Sequence, residues 1–257
     1  MNQLTADKRV AQKQQTMLGV TLALAIIVAW LAAHISAIFV INWGSAGIIA
    51  AVAMIMFQSW LFTGLFIVAH DCMHGSFAPG KPWLNRLFGR ATLLLYAAFS
   101  FDRLLPEHHK HHKFAGTADD PDFDENHPDE FWPWLWHFLT HYYGWREFAA
   151  MSVAMIVYFF AFEPVYWKVV VFYALPAILS ALQLFYFGTY LPHRHEEGEF
   201  EDRHNSRTND YPWLVSLFTC FHFGYHHEHH LSPGTPWYRL PTVRAARRRQ
   251  GMKEAAA

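Results

Sequence analysis

QQTMLGVTLALAIIVAWLAAHISAIFVINWGSAGIIAAVAMIMFQSWLFTGLFIVAH, residues 14–70, contains no Asp, Glu, Lys or Arg. One membrane crossing takes about 20 apolar residues for about 30 Å of hydrocarbon. A single straight helix of these 57 residues would run roughly 85 Å, so the run has to fold back. Asn42-Trp43-Gly44-Ser45 is the turn, which predicts one helix over 17–41 and a second over 47–70. The first helix has no small-residue cleavage site and is too long for a signal-peptide core, so it is expected to be retained.

A second pair of uncharged stretches covers 148–162 and 169–193, with Glu163-Pro164 and Lys168 between them as an exposed turn. Tyr142 and Trp145 extend the shorter partner at the interface. Residues 83–101 are apolar but carry Arg86 and Arg90 on one helical face, which suits a re-entrant or interfacial helix equally. The expected fold is an all-α integral membrane protein: four transmembrane helices, this additional helix, and a cytosolic helical cap rich in histidine. It reads as a single membrane domain over 1–257, in six parts. These are a cytosolic start (1–16), a helical hairpin (17–70), a segment with the first histidine groups (71–145), a second hairpin (146–193), a last histidine segment (194–241) and a basic tail (242–257). Lys8, Arg9 and Lys13 precede the first span, and Arg244, Arg247, Arg248, Arg249 and Lys253 close the chain. Basic flanks stay cytoplasmic. Four spans then leave both termini and all the histidine groups on that side.

Composition narrows the function. The chain has 257 residues, with 20 Lys and Arg against 21 Asp and Glu, so no basic excess points to nucleic acid. The 53% apolar and 16% charged fractions depart from roughly 45–50% and about 25% in soluble domains, although the mean hydropathy is only +0.06. Two cysteines, Cys72 and Cys220, rule out a disulfide framework or a cysteine-built metal site. Histidine is in excess, at 18 residues.

Thirteen of the 18 histidines lie in HDCMH (70–74), HHKHH (108–112), LPHRH (191–195) and HFGYHHEHH (222–230). Residues four apart on a helix share a face, so His70 and His74 can aim at one metal. In the second group 108/111/112 and 108/109/112 span similar arcs, and geometry does not choose between them. In the last, 222, 226, 229 and 230 fall on one stripe while His227 points away. That predicts His226, His229 and His230 as ligands, with His222 near them. Two, three and three make eight imidazoles, and His193 would be a ninth. That exceeds one four-coordinate zinc site and fits two metal ions. Imidazole suits Zn, Cu, Fe and Ni alike. The carboxylate di-iron pattern needs Glu-x-x-His on two helices, and only Glu201–His204 has that spacing. A transporter would hold its site near the midplane, not at the ends of spans. Isolated histidines such as His34, His127, His137 and His141 read as ordinary polar residues.

The boxes HxxxH, HxxHH and HxxHH around four spans resemble the membrane desaturase and hydroxylase superfamily of non-haem di-iron oxygenases. FTGLFIVAHDCMHG (62–75), LLPEHHKHH (104–112), DPDF (120–123), LPHR (191–194) and LFTCFHFGYHHEHHLSPGTPWYRLP (217–241) resemble, more closely, the bacterial carotenoid 4-ketolases. The resemblance runs from Leu61 to Pro241. It implies His70, His74, His108, His111, His112, His193, His226, His229 and His230 as metal ligands. It also implies Asp71, Asp120, Asp122 and Glu228 as carboxylates that orient imidazoles by accepting their other N–H. Cys72 departs from the small residue expected inside the first box and reads as a packing thiol. The implied cofactors are two iron ions, with O2 as co-substrate and an external electron donor such as ferredoxin. The implied reaction is two hydroxylations at C4 of a β-ionone ring, giving the ketone: β-carotene to echinenone and canthaxanthin, and zeaxanthin to astaxanthin. The implied location is a bacterial inner membrane. The basic tail offers a docking site for an acidic donor or an anchor for topology and headgroups. Tyr96, Phe99, Phe101, Tyr186, Phe187 and Tyr190 are candidates to line a polyene tunnel. A carotenoid hydroxylase, a lipid desaturase or hydroxylase, and a non-enzymatic zinc-binding membrane protein are the alternatives.

Overall fold

A computed structural model describes residues 3–195 and 200–254. No β-strand occurs among the described residues. The elements are α1 (Gln3–Ile35, continued by a π-helical turn over Ser36–Val40), α2 (Trp43–Met73), α3 (Pro82–Ala97), α4 (Phe101–Phe114), α5 (Phe131–Tyr142) and α6 (Trp145–Phe162). Then come α7 (Tyr166–His193, with π-helical turns over Val170–Ala174 and Tyr186–Tyr190), α8 (Trp213–Cys220), α9 (His226–Leu231) and α10 (Leu240–Glu254). Four helices are long and apolar enough to cross a membrane: Asp7–Val40, Trp43–Met73, Trp145–Phe162 and Tyr166–His193. The first begins earlier than the uncharged run, because Asp7 to Lys13 contains good helix formers and no breaker.

The chain divides into two compact units, residues 1–104 with 142–182, and residues 105–141 with 183–257. In the first unit the hairpin turn has a clear local cause. Ile41 leaves the helix, and Asn42 caps α2 by accepting from the Gly44 amide at 3.0 Å. Gly47, at φ 80°, breaks the opening turn of α2 and starts the straight helix where the sequence predicts it. Trp43 donates to the Ala37 carbonyl at 2.8 Å and stacks on Phe172 at 4.1 Å. Lys168 donates to the Ile41 carbonyl at 2.9 Å, placing a cation at the C-terminal end of α1. An aromatic tier crosses the same unit. Trp30 meets Phe62 edge-on at 5.3 Å and stacks on His34 at 5.2 Å, and His34 Nε2 lies 2.9 Å from the Tyr158 hydroxyl. His34 is thus an ordinary partnered histidine. Ile48, Ile49, Val153, Ile156 and Phe160 face outward, a surface suited to lipid.

Two further features shape the end of α2. The amphipathic helix α3 packs along it, burying Asn85, Gly89, Thr92, Leu93 and Tyr96 at helical spacing. Arg90 turns outward to Asp102. Gln15 and Gly19, one turn apart on α1, hold the bend after HDCMH. Gln15 donates to the Ser76 carbonyl at 2.6 Å, and a Cβ on Gly19 would stand 2.7 Å from the Phe77 carbonyl oxygen. Backbone cannot yield there as a side chain can, so Gly19→Ala is expected to cost about 1–3 kcal/mol. Thermal unfolding of the detergent-solubilised variant should show a midpoint several degrees lower. An unchanged midpoint would contradict this close packing.

Candidate metal centre

The first histidine box ends the long apolar helix α2, whereas the second and third sit on short or polar helices that do not stand alone. In the second unit, α4 ends at Phe114 and the chain turns at Gly116 (φ 67°). That turn returns Asp120 to the helix. Its carboxylate accepts from the Gly116 amide at 2.8 Å, from the Asp122 amide at 2.9 Å and from His111 Nδ1 at 2.9 Å. His193, at the end of α7, donates from Nδ1 to the Asn205 carbonyl at 2.7 Å. For both imidazoles the Nδ1 proton is engaged outside the cluster, so Nε2 points inward.

The inward nitrogens fall into two groups. The ligand atoms of His111, His193, His226 and His230, all buried, lie within 4.8 Å of one another. His193 Nε2 is 2.8 Å from His226 Nε2, which is 3.0 Å from His230 Nε2. The ligand atoms of His108, His112 and His229 are also within 4.8 Å of one another, with His229 Nε2 2.9 Å from His112 Nε2. The second and third boxes therefore each divide. The i and i+4 members, His108 with His112 and His226 with His230, go to one group, and the i+3 member, His111 or His229, goes to the other. In the first unit, His70 and His74 stand one turn apart at the end of α2, ring centroids 4.8 Å apart.

These donors fit a metal. Two nitrogens bound about 2.1 Å from one ion lie ~3.0 Å apart when the bond angle is near 90°. The His193 Nε2 lone pair, fixed by the bond to Asn205, faces two more imidazoles that have a single proton each when neutral. An all-imidazole set suits iron, copper, zinc or nickel. Without a metal, burial is the largest influence on His111 and acts downward. The charges of Asp120 and Asp122 and the bond to Asp120 outweigh it and raise its pKa to about 9. A metal bound there would take the place of that proton. His230 moves well below its ordinary value through burial and the neighbouring imidazoles, His226 first.

Other residues of the boxes and their neighbours lie outside the two groups, some as expected and some not. His109 belongs to neither group. His227 points away from both and donates from Nε2 to Asp202 at 3.0 Å. Glu228 orients no imidazole. It is fully buried and accepts from Arg244, Arg247 and Thr208. His222 is not on a stripe with His226, because Phe221 (φ 48°) and His222 (φ 62°) form a left-handed turn that ends α8 before α9 begins. His222 Nδ1 bonds Ser216 Oγ at 3.2 Å, and burial lowers its pKa to about 4. Asp71 Oδ1 is 3.8 Å from His70 Nδ1 and Asp122 Oδ2 is 3.6 Å from His111 Nδ1, both beyond a hydrogen bond. The stretch 119–130, which holds seven acidic residues and no Lys or Arg, is partly interior: Asp120, Asp122 and Asp124 are buried, and Trp134 donates to the Asp122 carbonyl. Arg244 and Arg247 of the basic tail turn inward. Arg248 and Arg249 are exposed, and the Lys253 side chain lies outside the described residues.

The aromatic candidates separate by unit. Tyr96 lies between Phe66 and Phe99, with its hydroxyl 3.5 Å from Ser180. Phe101 is a core wedge, occupying the space a Cβ on Gly89 would need. Tyr190 donates to the Asp129 carbonyl at 2.7 Å and packs on Phe131 and Trp134. Tyr186 stays half-exposed beside Phe187, which meets Tyr211. Sequence reasoning missed the Asn205 carbonyl, which has no side-chain signal, and the Arg244–Glu228–Arg247 contact.

The chain is similar over most of its length to known proteins. The fatty acid desaturase family model matches residues 41–155 and 133–256. A beta-carotene ketolase of Paracoccus sp. strain N81106 is 48% identical over 220 residues, 85% of this chain and 89% of that protein. One from Paracoccus sp. strain PC1 is 43% identical over 230 residues, covering 89% and 93%. One from Haematococcus lacustris is 35% identical over 253 residues, covering 88% and 78%.

Asp120→Asn should weaken metal retention about 10- to 100-fold, the usual cost of losing a group that orients a ligand. Chelator competition on the purified protein measures this. Unaltered retention would contradict the role of Asp120.

Proposed function

The chain belongs to the beta-carotene ketolases of the fatty acid desaturase family, and on that premise we propose that it is a di-iron, O2-dependent carotenoid 4-ketolase. The observation that carries the reading is the division of the histidine boxes into two sets of converging imidazoles. His111, His193, His226 and His230 would hold one ion. His108, His112 and His229 would hold part of the other set, and we assign His70 and His74 to the centre on their spacing and on the ligand count. Nine neutral imidazoles leave the ions cationic and leave coordination positions for oxygen.

Bound there, iron would supply the activation of O2 needed to replace an allylic C4 hydrogen by hydroxyl. Each round consumes O2, two electrons and two protons, and releases one water. A second round at the same carbon yields a gem-diol, which loses water to the ketone. β-Carotene would give echinenone and then canthaxanthin, and zeaxanthin would give astaxanthin. The chain's own part is to fix the ligands and the substrate. Asp120 and the Asn205 carbonyl hold His111 and His193 by their Nδ1 protons. Tyr96, Phe99, Tyr186 and Phe187 are proposed to line the path of the polyene. Electrons would come from a ferredoxin-type donor, for which the exposed Arg248 and Arg249 are candidate basic contacts among the described residues.

We place the chain in a bacterial inner membrane as one membrane domain, termini and histidine boxes cytoplasmic, on the strength of Lys8, Arg9 and Lys13 before the first span and the arginines after the last. A lipid desaturase is the more distant reading: an sn-1 oleoyl-lipid 12-desaturase of Anabaena variabilis is 26% identical over 233 residues. Expression in a bacterium that accumulates β-carotene decides among these. Echinenone and canthaxanthin should appear, with absorption broadened and moved to longer wavelength. Hydroxylated products alone, or unchanged carotene, would overturn the ketolase reading.

A further inference from the structure

The third box, HHEHH, contains two residues that it does not offer to a metal, His227 and Glu228. Both are buried. They lie on α9, which has only six residues. A helix of one and a half turns is marginal by itself, and a rotation about its axis would misdirect all three of its inward imidazoles. Something outside α9 has to fix that rotation.

The outward face of α9 meets one side chain twice. Arg247 Nη1 carries two hydrogens. One is donated to His227 Nδ1 at 3.1 Å and the other to Glu228 Oε1 at 3.0 Å. Arg244, one turn earlier on α10, donates from Nη1 to the same Glu228 oxygen at 3.2 Å. Thr208 donates to the other Glu228 oxygen. His227 completes the arrangement by donating from Nε2 to Asp202 at 3.0 Å. Arg244 is held in turn by Asp210 at 3.1 Å, and Arg247 by Glu201 at 3.4 Å. Glu228 is a fully buried carboxylate. It is tolerable only because two guanidinium groups and a hydroxyl satisfy it.

We propose that Arg247, supported by Arg244, is a positioning residue for the metal centre. By bridging His227 and Glu228, it sets the rotation of α9 so that His226 and His230 face one set of imidazoles and His229 the other. The C-terminal helix is then a clamp on the third histidine box, and its first arginines face inward for that reason. This rests on the metal reading given above. An ammonium on the flexible lysine stem can donate to two acceptors as well but lacks the planar guanidinium that holds Nη1 in place while Nη2 meets Glu201, so Lys at 247 keeps the charge and only part of the positioning.

The test compares the purified full-length chain with Arg247→Gln, Arg247→Lys, Glu228→Gln and the exposed control Arg249→Gln. Iron per chain and iron retention against a graded chelator are read beside the thermal midpoint of the metal-free protein. Arg247→Gln and Glu228→Gln should each retain iron about 10- to 100-fold more weakly, while Arg247→Lys falls between them and the wild type. Arg249→Gln should match the wild type in iron per chain and iron retention, and the losses in Arg247→Gln and Glu228→Gln should persist at temperatures where every metal-free variant is fully folded by its own midpoint. If Arg247→Gln does not insert, Glu228→Gln, which preserves size, is decisive in the same way. Wild-type retention in both Arg247→Gln and Glu228→Gln overturns the clamp, as does an equal loss in Arg249→Gln. A wild-type chain that binds no metal overturns the metal reading, and the clamp with it.

Discussion

Two hydrogen bonds decide which way the imidazoles face. His111 gives its Nδ1 proton to Asp120 and His193 gives its own to the Asn205 carbonyl. With Nδ1 engaged outside, Nε2 has to point into the cluster, where further imidazole nitrogens approach to 2.8–3.0 Å. Imidazole nitrogens gathered so closely in a buried site suit a shared cation. The left-handed Gly116, the left-handed turn at Phe221 and His222, and the arginines of α10 are the means by which the chain keeps these few nitrogens convergent.

The apolar unit serves the same end. Its helices carry no cofactor chemistry along most of their length. They are held by an aromatic tier at Trp30, His34, Phe62 and Tyr158, and by the Lys168 contact to the end of α1. Gln15 and Gly19 fix the bend that follows HDCMH, so the first box leaves α2 in one conformation. A lipid-soluble polyene and a polar, proton-consuming redox site make opposite demands on their surroundings. Outward-facing apolar side chains and a polar histidine-rich segment in one chain meet both.

Much of this was legible in the sequence, because the signals are local. Absence of charge over 14–70 marked two spans, Asn42-Trp43-Gly44-Ser45 marked the turn between them, and i, i+4 histidine pairs marked helical faces. What remained hidden depends on contacts between residues distant in sequence. Spacing could not show that the second and third boxes each split their imidazoles between two groups, nor choose 108/111/112 over 108/109/112. It placed His222 on a stripe with His226, because a helical wheel ignores a left-handed turn between them. The family resemblance, and not spacing, gave Glu228 an imidazole to orient; the arginines that claim it lie 16 and 19 residues further along the chain. The Asn205 carbonyl is a backbone group and leaves no trace in residue identity.

The central claim is that the histidine boxes form two distinct metal sites. Anaerobic titration of the metal-free protein with ferrous iron tests it most directly, comparing the wild type with His111→Ala and His108→Ala. The account predicts two equivalents bound by the wild type and one by each variant, with different sites lost in the two cases. A single equivalent in the wild type, abolished by either substitution, would contradict it.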